Sequence, residues 1–144
     1  MSVRVKRVYD AAADADGTRV LIDRLWPRGL SKEAARIDLW LKDIAPSHEL
    51  GRWFGHDPYK WDEFQRRYAA ELRLAPDAVA QLTALVSRGP VTLVFASQER
   101  AYNNANALQA FLAGSRKSTE PRKRAGARKA DTRKTGARKT RTGA

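Results

Sequence analysis

The spacing of apolar residues in the first part of the chain is typical of short β-strands. An imperfect alternation over residues 3–9, VRVKRVY, predicts a partly exposed first strand. A short apolar run within residues 18–23, TRVLID, predicts a second strand. The small and acidic residues 11–17 between them end in Asp-Gly, which is a turn signal. The two strands are therefore joined either by a hairpin or by a wider connection.

Residues 36–42, RIDLWLK, alternate cleanly between apolar and polar and predict a third strand. Ile37, Leu39 and Leu41 are expected on one side of it, and Trp40 with its charged neighbours on the other. A helix would scatter these apolar residues around its surface. The hydroxyl of Ser31, which precedes this strand, is expected to cap a short helical turn.

The second half of the chain changes to helical spacing. Apolar residues recur every three or four positions over residues 59–74 and predict an amphipathic helix. A second helix is expected to begin at Pro76, which suits a first helical turn, and to close at Gly89. A shorter helix before these two is expected to open at Ser47 and to run to about Phe54.

Polar residues follow two of the predicted strands. The strand over 18–23 runs into a turn where Pro27 and Gly29 prevent a regular strand or helix from continuing. A buried strand over 91–96, VTLVFA, is followed by polar residues and by a last helix that opens at Asn103 or a neighbour. Parallel strands would bring both polar sets to one edge of the sheet, where ligands bind in open α/β sheets. The side chains expected to line a pocket there are Asp23, Trp26, Ser97 and Gln98.

Arg24 and Arg28 are the predicted anion-binding residues of this pocket. Guanidinium groups hold phosphate, sulfate or carboxylate through forked, charge-assisted hydrogen bonds, and Asp23 would orient one of them. Asn103, at a helix start, would add backbone N–H donors and a favourable dipole end for the same anion. The alternative is structural: an ion pair between Asp23 and an arginine, with Trp26 packed over the turn.

Candidates for catalysis are few. His56, in the sequence GHDP, would act as a general acid or base if its loop folds over the pocket, although such a histidine more often caps or pairs locally. Asp23 is the second weak candidate. Ser97 has no evident base partner in the sequence, and His48 is expected to face water. The sequence thus leaves the catalytic residues unknown and leaves open whether the domain is an enzyme.

The composition removes several classes of site. The chain has no cysteine, which excludes disulfides, thiolate nucleophiles and cysteine-ligated metals. With two histidines, no Gly-rich phosphate loop and no GxSxG sequence, we expect neither a metal nor a cofactor. No stretch has the length of a signal peptide core or a membrane span. A cytoplasmic protein without a membrane partner is expected, and association with the nucleoid is an option.

The composition changes after Gly114. Residues 115–144 contain twelve of the 28 Lys and Arg residues, two of the 16 acidic residues and no Leu, Ile, Val, Phe, Tyr or Trp. Such a segment cannot bury enough apolar surface to offset its chain entropy, so we expect a disordered basic tail. The remaining residues, 1–114, are nearly neutral and have the length of one ordinary domain.

At DRLWPRGLSK, residues 23–32, the chain resembles the YeaO-like branch of domain-of-unknown-function family 488, small bacterial proteins of uncharacterised role. DRLWPRG is highly specific, and the resemblance covers nearly all of residues 3–112. The family implies an α/β domain in which helices surround a small, largely parallel sheet, with no established reaction. The predicted fold is therefore a single α/β domain with a largely parallel four-stranded sheet, followed by the tail. Supporting strings are KRVYD, DLWLKDIAPS and WFGH, then Phe64, Tyr68, Glu71, VTLVFAS, Asn103 and Ala105.

The chain departs from the family pattern at two positions. Members commonly have a basic residue where this chain has Gln98, and often a histidine where it has Asn104. If those groups serve a proton-transfer or anion site, this chain lacks part of it.

Two functions fit the sequence, and they are compatible. In the first, the YeaO-like domain binds a small anionic or phosphorylated ligand in the pocket at the strand ends, with an enzymatic role left open. In the second, residues 115–144 contact the phosphates of DNA or RNA without sequence specificity, because a polycationic segment releases counterions from nucleic acid. A tail that only improves solubility is the alternative to this second function.

Overall fold

Four parallel strands form a sheet in the order β1-β4-β2-β3. The computed structural model describes residues 2–119. In the register of the sheet, Val5 of the first strand and Val20 of the second both lie opposite Leu93 of the fourth. The predicted four-stranded sheet is confirmed, and its pairings are all parallel. The strands are β1 (Val3–Arg7), β2 (Thr18–Leu21), β3 (Leu39–Trp40) and β4 (Val91–Phe95).

Strand β4 occupies the interior of the sheet because it is apolar enough to be covered on both faces. All of its residues are buried, as is typical of parallel strands in α/β folds. Strand β1, predicted to be partly exposed, lies at an edge. Since β1 and β2 both run parallel to β4, the chain crosses from one side of β4 to the other between them. This excludes the hairpin alternative, and a 3-10 turn at Asp14–Asp16 lies in the wider connection.

The predicted helices are present. The Ser31 hydroxyl accepts a hydrogen bond from the Ala34 N–H at 3.1 Å and caps the first helix. The Ser47 hydroxyl accepts from the Leu50 N–H at 3.1 Å and caps the second. Both serines therefore have the capping role expected of them. The helices are α1 (Lys32–Ala35), α2 (His48–Phe54), α3 (Trp61–Arg73), α4 (Pro76–Arg88) and α5 (Asn104–Thr119).

The alternation of side chains along the strands builds a core on each face of the sheet. Val20 and Leu93 belong to the larger core, which includes residues of α2, α3, α4 and α5. Leu21 and Val94 belong to the smaller core, to which α1 contributes Ala35. Burial of each large apolar side chain contributes about 1.5–3 kcal/mol, so the sheet is held from both sides.

The third strand is shorter than predicted. Arg36 adopts the left-handed conformation, with φ of 51°, and ends α1, so pairing with β2 begins only at Leu39. Leu39 and Leu41 pack with the larger core, as expected, but Ile37 packs with Trp40 in the smaller one. The prediction that Ile37 shares a side with the two leucines is therefore wrong, because regular alternation does not extend back to it.

Residues up to Leu112 form one compact unit, and a second unit begins at Ala113. Of the second unit the structure describes only the end of α5, which runs to Thr119 and so passes the predicted boundary at Gly114. The rest of the predicted tail, residues 120–144, lies outside the described residues. Its disorder stays a prediction.

A buried ionic cluster joins β1 to the start of β2. Asp16 is 2% exposed, and its carboxylate lies 2.6 Å from the Arg19 guanidinium and 2.8 Å from the Lys6 ammonium. Burial raises the pKa of Asp16, but hydrogen bonds from Lys6, a backbone N–H and Arg19 outweigh it and lower the pKa to about 2. The next residue, Gly17, has a φ of 65°, and a Cβ there would overlap the Pro90 carbonyl oxygen.

We predict that Asp16→Asn lowers the free energy of unfolding by about 3–5 kcal/mol, because it leaves Arg19 buried without a carboxylate. The pKa of Asp16 is lower in the folded protein than its ordinary 3.8, so its stabilising effect is present above about pH 4 and is lost as the pH falls toward about 2. The stability gap between wild type and variant should therefore shrink by about 2 kcal/mol in acid. Urea titrations across this pH range measure the gap.

Asp14→Asn is the matched control, because Asp14 is an exposed acid of the same turn. It is expected to change the free energy of unfolding by less than about 0.5 kcal/mol. A gap for Asp16→Asn that stays constant from neutral to acid pH would contradict the ionic role of Asp16.

Candidate functional site

A cleft of about 680 Å³ opens where the strands end. Asp23, two residues beyond β2, and Ala96, one beyond β4, both line it, which places it at the carboxyl edge of the sheet. The other parts of its lining are the turn at residues 24–28, the segment 45–48 and part of α2. This is the edge at which the sequence predicts a pocket, and Asp23 and Trp26 line the cleft as expected.

The turn after β2 is held by its two tryptophan contacts. The Trp26 ring lies edge-on to Trp40, with centroids 5.4 Å apart, and its Nε1 donates to the Leu30 carbonyl at 2.7 Å. Trp40 Nε1 donates in turn to the Asp23 carbonyl at 2.8 Å. These bonds fix the backbone at the start and the end of the turn. The backbone that carries Arg24 and Arg28 is therefore held at both ends of the turn.

Asp23 is half-buried in the cleft and bridges β2 to its neighbours. Its Oδ2 accepts a hydrogen bond from the Ala96 N–H at 2.8 Å, and its Oδ1 accepts one from Asn104 Nδ2 at 3.1 Å. Burial raises the pKa of this carboxyl, and the two hydrogen bonds and the nearby His56 oppose the rise without reversing it. The carboxyl thus has two donors on it and an environment that favours further hydrogen bonding.

Arg24 and Arg28 are exposed, and both line the cleft. Arg24 Nη2 donates to the carbonyls of Ala45 and Pro46 at 3.4 and 3.2 Å. Within residues 2–119, neither arginine forms an ion pair, so the salt bridge with Asp23 that the sequence allows is not formed there. Both guanidinium groups retain N–H donors for another partner.

Helix α2 brings two further nitrogen groups to the cleft that the sequence reasoning did not assign to it. Arg52 and His48 are both exposed and both line the cleft. They are four residues apart on α2 and therefore share one helix face. The sequence signal for their shared face was this spacing of four residues, in a helix that begins after the capping Ser47. His48 was expected to face water, which it does, but on the side of α2 that borders the cleft.

His56 meets Ser97 at the edge of the cleft. His56 has a φ of 57°, a left-handed conformation that is rare outside glycine. Its Nδ1 lies 2.8 Å from the Tyr102 carbonyl, which can only accept, so in the neutral ring the proton sits on Nδ1. Nε2 is then an acceptor, 3.4 Å from Ser97 Oγ. The sequence shows no base partner for Ser97, and the fold brings His56 near it by joining two segments that are distant in sequence.

This pair has limited chemistry in the described state. The His56–Ser97 contact is long for a hydrogen bond, and Ser97 Oγ also accepts from the Glu99 N–H at 3.0 Å. Ser97 itself is not among the residues that line the cleft, whereas His56 is. His56, and not Ser97, is therefore the member of this pair that borders the cleft.

Asn103, a predicted anion-binding residue, does not line the cleft. It is fully buried, its Nδ2 donates to the Glu99 carbonyl at 2.8 Å, and its Oδ1 accepts from the Asn106 N–H at 2.9 Å. Its side chain thus caps α5 and has no free face for a ligand. The neighbouring Asn104 lines the cleft in its place and donates to Asp23.

Gln98, predicted to line the pocket, is exposed outside the cleft lining. The chain turns directly after β4, where the Ser97 hydroxyl accepts from the Glu99 N–H, and this turn carries Gln98 away from the strand end. Of the residues directly after β4, Ala96 reaches Asp23, through its backbone N–H.

Within the described residues, 2–119, no group of three or more His, Asp or Glu side chains is arranged to hold a metal ion. No helix in that range is both long enough and apolar enough to cross a bilayer. The charged and histidine side chains that line the cleft are three arginines, two histidines and one carboxylate, and aromatic residues line it as well.

Curated bacterial proteins are similar to this chain over about four fifths of its length. An uncharacterized protein of Mycobacterium tuberculosis strain H37Rv, Rv3073c, is 45% identical over 112 residues, which are 78% of this chain and 94% of that protein. The uncharacterized protein Mb3100c of Mycobacterium bovis gives the same values. The uncharacterized protein YeaO of Escherichia coli K12 is 37% identical over 112 residues, 78% of this chain and 97% of YeaO. No solved structure matches the chain.

A family model also matches the chain. The model is DUF488-N3i, described as the inactive DUF488-N3 subclade, and it matches residues 2–130. The match covers most of the chain and continues past Gly114. It agrees with the resemblance carried by the DRLWPRG sequence. Together with the identity to YeaO, it shows that the chain belongs to the YeaO-like proteins of the DUF488 family.

Proposed function

We propose that the cleft at the carboxyl edge of the sheet binds a small anionic or phosphorylated ligand. The observation that carries the proposal is the presence of three arginines at one cleft, Arg24, Arg28 and Arg52, with no ion pair to any described residue. Neighbouring cations repel one another, and an anion among them relieves that repulsion. Guanidinium groups suit planar carboxylates and tetrahedral phosphates or sulfates in particular.

Four arginines outside the cleft differ from these three because each has an acidic partner within the protein. Arg19, Arg66, Arg67 and Arg100 each lie within 3 Å of a carboxylate in the described structure. Acidic partners are thus supplied elsewhere on the fold, while Asp23 in the cleft directs its oxygens to an amide and a backbone N–H. An external anion is the natural counterion for the three cleft arginines.

Binding, and not turnover, is the role we propose for this cleft. The matching subclade is described as inactive. The resemblance to the family also implies a basic residue and a histidine at the positions where this chain has Gln98 and Asn104. His56 and Asp23, the weak catalytic candidates, are nevertheless both at the cleft. In a binding site they would add a hydrogen-bond donor or acceptor for the ligand.

We predict that inorganic phosphate or sulfate stabilises the protein against heat. At an anion concentration ten times the dissociation constant, the free energy of unfolding should rise by about 1.4 kcal/mol. Arg28→Ala and Arg52→Ala should each weaken phosphate binding about tenfold, since each removes a charge-assisted contact worth about 1.4 kcal/mol or more. Neither side chain has a hydrogen bond within the described residues, so the fold should be unaffected. Thermal shift and calorimetric titration measure both effects.

Arg4→Ala is the matched control, because Arg4 is exposed on β1 away from the cleft lining. It should leave phosphate binding within about twofold of wild type, because exposed charges at a distance are screened. Absence of any stabilisation of the wild type by phosphate or sulfate would contradict the proposal. Equal losses in the cleft variants and in Arg4→Ala would contradict it too.

A second function, non-specific binding to DNA or RNA, is proposed for the basic segment after the domain. Residues 115–144 have a net charge of +10, from twelve basic and two acidic residues. Such a density of Lys and Arg suits sequence-independent phosphate contacts. It would place the protein in the cytoplasm in contact with the nucleoid or with RNA.

We predict that truncation after Thr119, which removes ten of the twelve basic residues of this segment, abolishes salt-sensitive binding to duplex DNA. Fluorescence anisotropy across a salt series measures the change, and wild-type affinity should fall steeply as salt rises. The melting temperature should stay nearly constant, since 112 aligned residues already span 97% of YeaO. DNA binding that survives truncation with an unchanged salt slope would exclude this function for the segment.

A further inference from the structure

The cationic cleft has an apolar wall that a simple inorganic anion would not use. Leu25 and Tyr9, which line the cleft, are 78% and 41% exposed. Trp26 and Pro27 line the same cleft. The Tyr9 hydroxyl donates to the Arg28 carbonyl at 2.7 Å, so a hydrogen bond connects this ring to the arginine turn, residues 24–28. Apolar and cationic groups therefore belong to one surface.

The exposure of Leu25 is informative because of where it occurs. Single exposed apolar residues are normal on protein surfaces. In the described part of the chain, however, four large apolar side chains are strongly exposed, and two of these, Tyr9 and Leu25, border this one cleft. Adjacent apolar groups beside unpaired charges are a feature of ligand sites, where a few polar groups orient a largely apolar ligand.

The inner part of the cleft adds a third kind of contact. Phe54 and Phe64 are buried there and stack with centroids 4.1 Å apart. Asp23 lines the same cleft, and each of its carboxylate oxygens accepts one hydrogen bond from the protein and can accept another. A ligand that fills the cleft should therefore present hydrogen-bond donors, such as hydroxyl or amino groups, as well as its anionic group.

We infer that the ligand is a nucleotide, with its phosphate at Arg24, Arg28 and Arg52, its base against the wall of Tyr9 and Leu25, and its sugar hydroxyls or amino groups toward Asp23. This inference rests on the proposed anion-binding function and names the chemical class of the anion. A nucleoside monophosphate combines the anionic, flat apolar and donor groups that the cleft requires. A volume of about 680 Å³ lies within the range of about 300–1,000 Å³ usual for small-molecule sites.

The test compares four probes on the full chain by calorimetric titration: inorganic phosphate, phenyl phosphate, AMP and adenosine. AMP should bind at least about tenfold more tightly than inorganic phosphate, because it adds contacts with the apolar wall and with Asp23 to those of the phosphate, and a gain of that size needs about 1.4 kcal/mol. Phenyl phosphate should fall between them. Adenosine, without the charge, should bind more weakly than AMP.

Leu25→Ala separates the wall from the charges. It should weaken AMP binding about threefold or more while leaving phosphate binding unchanged, because it removes apolar contact and no charge. Leu74→Ala is the matched control, since Leu74 is 85% exposed and lies outside the cleft lining. Both leucines are exposed enough that neither change should affect folding. Both variants also keep the basic segment, so any affinity of that segment for nucleotides cancels.

The outcomes distinguish this inference from the proposed function. Phosphate binding that AMP does not improve, or an AMP affinity that Leu25→Ala leaves unchanged, would overturn nucleotide recognition and leave anion binding intact. No binding of any phosphorylated probe would overturn both. Once AMP binding is seen, titration with a 5′-phosphorylated trinucleotide at high salt shows whether the cleft binds a free nucleotide or the end of a nucleic acid. Tighter binding than AMP points to a nucleic-acid end, and equal or weaker binding to a free nucleotide.

Discussion

The carboxylate of Asp23 is the group on which the geometry of the cleft depends. One oxygen accepts from the backbone just beyond β4, and the other accepts from Asn104 in the first turn of α5. The Asp23 carbonyl also accepts from Trp40 at the end of β3. Three elements that are far apart in sequence thus meet at one residue after β2. Since the arginine turn begins directly after Asp23, these three bonds fix the backbone position from which the turn starts.

Much of this arrangement was predictable because it is local. Apolar spacing predicted the strands and helices, two serines predicted helix caps, and the Pro-Arg-Gly turn predicted that Arg24 and Arg28 lie at a strand end. The DRLWPRG sequence added the family and with it the parallel sheet. Each of these signals is contained in fewer than about 20 consecutive residues, which is the range over which periodicity and turn chemistry act.

The rest depends on contacts between distant segments or on single backbone angles. Ser97 and His56 are 41 residues apart in sequence but lie close together in the fold. His56 is in a left-handed conformation that the local sequence does not predict. Arg36, also left-handed, ends α1 and turns Ile37 to the opposite core. At the start of α5, one step along the chain decides which asparagine caps the helix and which faces the cleft. Periodicity cannot resolve a difference of one residue at a helix end.

Among the described residues, charged side chains are paired at the start of strand β2 and unpaired just after its end. At its start, Asp16 is buried between Lys6 and Arg19, so every charge has a partner within the protein and the cluster serves stability. At its end, Arg24 and Arg28 stay exposed and Asp23 bonds to uncharged donors. A fold that needed these arginines only for bracing could have paired them with Asp23, which is adjacent in sequence. Their separation leaves both the cations and the carboxylate at the cleft without an ion pair between them, which is the arrangement that the proposed ligand requires.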